Sequence, residues 1–199
     1  MIQFTDITGL ASSTVAMAAA AVMLPGIPST PKSYRIGLAC AVAIVALVPF
    51  GGLPLAAYVR GVIGDLSILS LVLLLSAILN RLTGHRLLDA RNRRALLVLV
   101  ALTALGLYPL ALGIGTFDSY RLGYGNIWLV SVLLAVVLAA CFRQFMSMAL
   151  AMALAVFAWG VGWYESANLW DYLLDPLLAT YAVGALIMRG LPMQRKQPC

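Results

Sequence analysis

Arg60, Asp65 and Asp175 are the residues best placed to do chemistry in this chain, because each falls inside a hydrophobic run. An ionisable group in such a run is costly unless a partner, water or a ligand offsets its desolvation. Two neighbouring carboxylates can divide into an acid and a base, and an arginine fork can grip a phosphate or a carboxylate through two donors. Asp118, Arg121, Glu165 and Asp171 fall in or beside the adjoining connections, among Tyr120, Tyr124, Trp170 and Tyr172. These seven charged residues form a candidate polar site. An ion pair among Arg60, Asp65 and Asp175 is the plain structural expectation for its centre, and a substrate or proton site is the functional one.

Other chemistries find little support. The single histidine, His85, lies in the run Asn80 to Arg94 with its five arginines, where a solvated loop residue is expected. Cys40 and Cys141 sit in apolar runs and suit packing, while Cys199 ends a basic tail without forming a prenylation box. No cysteine spacing matches a metal site or disulfide framework, and no nucleophile elbow, phosphate loop or dinucleotide fingerprint occurs. No metal and no cofactor is therefore expected. Met146, Met148 and Met152 lack the His or Cys that a copper site usually recruits and are read as packing.

The elements that must hold these residues are hydrophobic helices. Hydrophobic residues make up 63% of the 199 and charged residues only 10%, with mean hydropathy +0.99, against about 25% charged in a soluble domain. Such a chain suits lipid, where helices close their own backbone hydrogen bonds. Placing helices of roughly 20 residues on the apolar runs gives Ile7 to Leu24, Ile36 to Phe50, Val59 to Leu79, Ala95 to Gly115, Asn126 to Phe142, Gln144 to Tyr164 and Leu169 to Met188. The fold class expected is all-α, a polytopic membrane bundle of about seven transmembrane helices forming one domain over residues 1–199.

Charge orients that bundle. With the N-terminus outside and the C-terminus cytoplasmic, Lys32, Arg35, Arg81, Arg86, Arg91, Arg93, Arg94, Arg143, Arg189, Arg195 and Lys196 fall inside, leaving only Arg60 and Arg121 outside. The acids divide the other way, with Asp89 alone inside. The first run is Ala-rich and modestly hydrophobic, so six helices is the alternative. Met1 to Leu10 has no basic region and does not resemble a cleaved signal peptide. A bacterial inner membrane is the expected location.

Length counting puts Arg60 and Asp65 within the outer half of the third helix. It starts the seventh near Asn168, as N-cap, with Asp171 as a capping-box carboxylate and Asp175 more than a turn inside, before a kink at Pro176. The alternative, Asp175 as N-cap and Pro176 as first helical residue, leaves only a short helix. Gly51, Gly52 and Pro54 end the second helix, making Leu53 to Tyr58 a turn or interfacial segment. Small-residue stripes at Ser12, Ala16, Ala20 and at Ser131, Ala135, Ala139 suit close helix packing.

Arg86, Arg91, Arg93 and Arg94 are expected to anchor topology and to contact anionic lipid. The net charge of +6 is accounted for by that role, and nucleic acid is not an expected partner. Membrane lipids are, and a larger membrane protein is a further candidate. Three function classes follow: a non-catalytic subunit or accessory factor of a cell-envelope assembly, a transporter or lipid translocator using the buried charges, and a membrane enzyme acting on a lipid head group or lipid-linked sugar at the outer face.

Overall fold

The computed structural model describes residues 4–114 and 116–190, and the side chains of all of these but Arg189 and Gly190. Gly115, Arg195, Lys196 and Cys199 lie outside the described residues. The described chain is helical: α1 (Phe4–Met23), α2 (Lys32–Leu47), α3 (Leu55–Ile63), α4 (Ile68–Thr83), α5 (Ala90–Ala111), α6 (Ile127–Phe142), α7 (Met146–Gly160), α8 (Leu169–Leu173) and α9 (Pro176–Gly190). A two-residue hairpin, β1 (Pro49–Phe50) with β2 (Leu53–Pro54), joins α2 to α3. Gly51 and Gly52 make its turn at φ 62° and 96°, the left-handed pair that a tight hairpin requires.

The starts of α4, α5, α6 and α8 are set by side chains that accept an otherwise unpaired backbone N–H. Ser67 accepts from Ser70 on α4, Asp89 from Asn92 on α5, Asn126 from Trp128 on α6 and Asn168 from Trp170 on α8. Asp89 has an added effect, since Arg91, Arg93 and Arg94 place positive charge on the first turn of α5, where the helix dipole opposes it.

α1 packs on α2, α3 and α4, whereas α7 packs on α4, α5, α6 and α8, and α5 packs on α9. α4 thus links the two groups. The buried apolar core runs through Leu69, Leu96, Val100, Leu133, Met152 and Tyr172. Outside it, α6 exposes Trp128, Val132, Leu134, Leu138 and Phe142. The stripe Ser131, Ala135, Ala139 lies on that exposed surface rather than against a neighbouring helix, and Cys40 is also exposed rather than packed.

Two expected helices are interrupted. Val59 to Leu79 is divided, because Gly64 at φ 74° and ψ −171° takes a backbone conformation that excludes other residues, and Ser67 then starts a new helix. Asp65 therefore lies between helices, and Tyr58 lies within α3. The seventh run is divided at Leu174, which is extended, and α9 starts at Pro176. The short-helix alternative is the one adopted: Asp175 Oδ1 accepts from Leu178 N at 2.8 Å, as an N-cap does.

Among the described residues, two helices are long and apolar enough to cross a membrane, Phe4–Met23 with mean hydropathy 1.4 and Ala90–Ala111 with 1.9. Four shorter apolar helices accompany them, Ile68–Thr83, Ile127–Phe142, Met146–Gly160 and the stretch Pro176–Met188.

Candidate functional site

Arg60 stands in the last turn of α3, where the helix dipole favours a cation. Its guanidinium grips Asp65 through two donors, Nε to Oδ1 at 2.6 Å and Nη2 to Oδ2 at 2.9 Å. Nη2 also reaches Glu165 Oε1 at 3.3 Å, and Nη1 lies 3.6 Å from Asp6 Oδ1. The group lies flat on α1 at Gly9: a Cβ there would stand 2.4 Å from Arg60 Cζ and 2.7 Å from Asp65 Oδ1. Gly9 is thus what lets three parts of the chain meet on one cation.

Asp175 has other partners. Only 5% exposed, its Oδ2 accepts from Ser67 N at 3.0 Å, from Ser67 Oγ at 2.8 Å and from Ser70 Oγ. Its Oδ1 accepts from Leu178 N. One carboxylate thereby serves the N-termini of α4 and α9 together, where the unpaired N–H groups and both helix dipoles favour negative charge. The expected single cluster of Arg60, Asp65 and Asp175 is resolved into two centres. Arg60 draws in Asp65, Glu165 and Asp6, whereas Asp175 closes a helix junction.

A third centre joins residues 118–124 to residues 164–172. Tyr120 Oη donates to Asp171 Oδ1 at 2.7 Å and Ser166 Oγ donates to Asp171 Oδ2. Asp171 is therefore a bridge between connections and not the capping-box carboxylate expected. Asn168, fully buried, donates from Nδ2 to Tyr120 O at 3.0 Å while it caps α8. Gly123 makes room for it, since a Cβ there would fall 1.6 Å from Asn168 Oδ1. Burial first, and then the bond to Asp171, push the Tyr120 hydroxyl well above the usual tyrosine range. Asp118 caps the turn Ser119–Gly123 by accepting from Tyr120 N, and Arg121 is exposed.

The arginines behave differently. Arg91 donates to Arg143 O at 3.2 Å and stacks 4.4 Å above the Phe145 ring. Arg93 donates to the Tyr181 hydroxyl, Arg86 donates to Asn80 Oδ1 at 3.2 Å, and Arg35 donates to Arg81 O. These contacts gather the N-terminal ends of α2 and α5 with the C-terminal ends of α4 and α6. Asp89 Oδ1 accepts from Asn92 N and Nδ2, and these bonds hold its carboxyl below the ordinary 3.8. His85 is exposed in the same region, as expected.

Between α4 and α9 runs a cavity of about 660 Å³. Leu66, Ser70, Leu177 and Leu178 border it near the Asp175 junction, Leu73, Leu74 and Ala77 along α4, and Asn80, Arg81, Arg86, Arg93 and Tyr181 at the basic end.

Ser67, Ser70, Gly9 and Gly123 are not among the site residues expected from the sequence. A serine at the N-terminal edge of an apolar run was the available signal for Ser67, whereas the two glycines carry no local signal of the side chain each admits. Among the described residues, no group of three or more His, Cys, Asp or Glu side chains is arranged to hold a metal. Chemically, the acidic centres bind backbone and guanidinium, and the basic end presents cations beside an apolar cavity. No protein family, curated protein or solved structure matches this chain.

Proposed function

We propose that this chain is a seven-span integral membrane protein of a bacterial inner membrane, with its N-terminus outside and its C-terminus in the cytoplasm, serving as a non-catalytic subunit or accessory factor of a cell-envelope assembly. The observation that carries the non-catalytic reading is the occupation of the acids. Asp65 and Glu165 meet Arg60, Asp118 and Asp175 cap helical segments, and Asp171 ties Tyr120 to Ser166. Carboxylates engaged this way hold the fold together, which counts against an enzyme acting at the outer face.

The seven-span reading draws on three supports. The interrupted pairs α3/α4 and α8/α9 each supply one crossing beside five uninterrupted helices. Basic groups gather at one end of the bundle. The exposed face of α6 is apolar apart from Ser131, as lipid-facing helices are. Reporter fusions after Pro31 and Thr83 should behave as cytoplasmic, and fusions near Ser119 and Ala167 as external. An external signal at Thr83 would overturn the orientation, and a cytoplasmic signal at Asp6 would select six helices. Purification in mild detergent should bring down one membrane protein in fixed ratio; a chain that is fully functional alone in vesicles would overturn the subunit reading.

A second reading, a transporter or lipid translocator, is favoured by the twin interruptions. Discontinuous helices whose N-termini converge on a polar group are a recurring device at transport sites. Ion-coupled uptake or lipid flip in vesicles, lost in Asp175→Asn at equal reconstituted amounts, would select it.

A further inference from the structure

We propose that the cleft between α4 and α9 binds one anionic lipid, with an acyl chain along the helices and the phosphate on Arg86 and Arg93. This rests on the membrane reading above and gives the basic end a defined ligand. The cleft's volume, about 660 Å³, falls within the range of about 300–1,000 Å³ typical of ligand sites. Its walls are apolar, from Leu73, Leu74 and Ala77 on α4 and Leu177 and Leu178 on α9.

Its length matches one leaflet. From Ser70 to Arg81 the helix rises roughly 16 Å at 1.5 Å per residue, and half of a hydrocarbon core of about 30 Å is about 15 Å. A chain entering at the basic end therefore finishes near Ser70, where the bonds of Asp175 to Ser67 and Ser70 close the cleft. Leu178 lines its buried side at 4% exposure, while Leu177 and Tyr181 are 50% and 47% exposed. The cleft is thus open along α9, the direction from which a bilayer lipid arrives.

The head-group end is built for an anion. Arg86 and Arg93 are oriented by neutral oxygens, those of Asn80 and Tyr181, and a guanidinium has five donors. The nearby carboxylate of Asp89 is engaged by Asn92. Leu88 N donates to Ser76 Oγ at 3.2 Å, fixing the connection that carries Arg86 against α4. Two forks beside an apolar slot match a phosphate attached to an acyl chain.

The test is native mass spectrometry of the full chain, delipidated in detergent and titrated with phosphatidylglycerol or with phosphatidylcholine of the same chains. One phosphatidylglycerol should be retained in preference to phosphatidylcholine. Arg86→Gln with Arg93→Gln should weaken retention roughly 25-fold, since each basic residue beside an anionic head contributes about a factor of five. Lys32→Gln with Arg143→Gln, the same charge change at exposed residues outside this cleft, should leave retention unchanged. Ala77→Phe should block the slot, and Leu177→Trp does the same from the exposed rim should Ala77→Phe not fold. Soluble glycerol phosphate should not displace the lipid. Equal retention of both lipids, equal loss in Lys32→Gln with Arg143→Gln, retention in both slot-filling variants, or displacement by glycerol phosphate each overturns the site. Carbonate extraction of native membranes separates the two failures, because a chain washed off by carbonate defeats the membrane reading itself, whereas one that stays but retains no anionic lipid defeats only the cleft.

Discussion

At one end of the bundle Arg60 faces Asp65 at 2.6 Å and Asp175 gathers donors from two helix starts; at the other, Arg86 and Arg93 turn to an amide and a phenol. Both ends are rich in charge, yet the carboxylates of the acidic end are met by partners within the chain, while Arg86 and Arg93 at the basic end turn to neutral oxygens. The difference shows how to separate structural charge from charge available to a ligand. A buried ion is tolerated when internal partners replace its water, so complete pairing marks scaffold. Cations set against neutral oxygens at the edge of an apolar slot mark a place where an anion is still to be supplied.

The largest effect in this comparison should come from Asp175→Ala. The N-terminus of α9 loses its cap, at about 1 kcal/mol, and buried donors of Ser67 and Ser70 lose their acceptor, at about 1–3 kcal/mol. The expected loss is about 2–4 kcal/mol, read as a collapse of the monodisperse fraction on size exclusion in detergent. Asp175→Asn should lie between, because its amide sets an N–H2 against either the Ser67 or the Leu178 N–H. An alanine variant as stable as the parent would mean that the junction is not what holds α4 to α9.

The junction also shows what was legible in the sequence. Gly64, Ser67 and the Asp175–Pro176 pair are ordinary helix stop and start signals, and each marks a real interruption. A span of about 20 residues, the length of one crossing, points the other way and predicts unbroken helices. Continuity is lost where two breaks satisfy each other, since Asp175 accepts from backbone N–H groups on both sides. The helical class follows from composition, whereas the cap at Asn168 and the pairing of Arg60 with Asp65 rest on length counts joined to residue types. The meeting of Asp6 and Glu165 with Arg60 does not, because it depends on α1 approaching α3 at Gly9, a contact no local pattern encodes.

Gly9 gives the next test of the acidic end. Gly9→Ala should force the guanidinium off Asp65, and Arg60→Ala should leave the acids without their cation. With Arg60 only 20% exposed and Asp65 25%, each change should cost about 1–2 kcal/mol after allowance for solvent screening. Both act on one contact, so the double variant should cost clearly less than the sum. Additive losses in thermal denaturation would show that Gly9 serves α1 packing and not the ion pair.

Smaller effects come from titration. Tyr120 ionises far less readily in the folded state than when unfolded, so its contribution is complete below about pH 10 and declines as pH rises beyond it. Tyr120→Phe should cost about 1 kcal/mol at neutral pH for the lost bond to Asp171 and flatten the alkaline fall in melting temperature. Asp89 has the opposite sign. Its folded value lies below the ordinary 3.8, so its contribution is present above that pH and lost as pH falls through the folded value. Asp89→Asn should remove that acid dependence, measurable as melting temperature between pH 5 and 3.

The smallest expected effects discriminate among the arginines. Lysine keeps the charge that orients a membrane protein but loses the planar fork and its stacking. Arg91 stacks on Phe145 and bonds Arg143 O, and Arg93 lies 5.9 Å from the Tyr181 ring while donating to its hydroxyl. Arg94 is exposed on the first turn of α5. Arg94→Lys should therefore leave insertion and stability unchanged, whereas Arg91→Lys and Arg93→Lys should each lose about 0.5–1 kcal/mol, and Arg93→Lys alone should also weaken anionic-lipid retention. Insertion should survive the triple lysine variant, because orientation needs only charge. If all three single variants are silent in both stability and lipid retention, the basic end is a topology anchor alone, and its contrast with the acidic end reduces to charge sign.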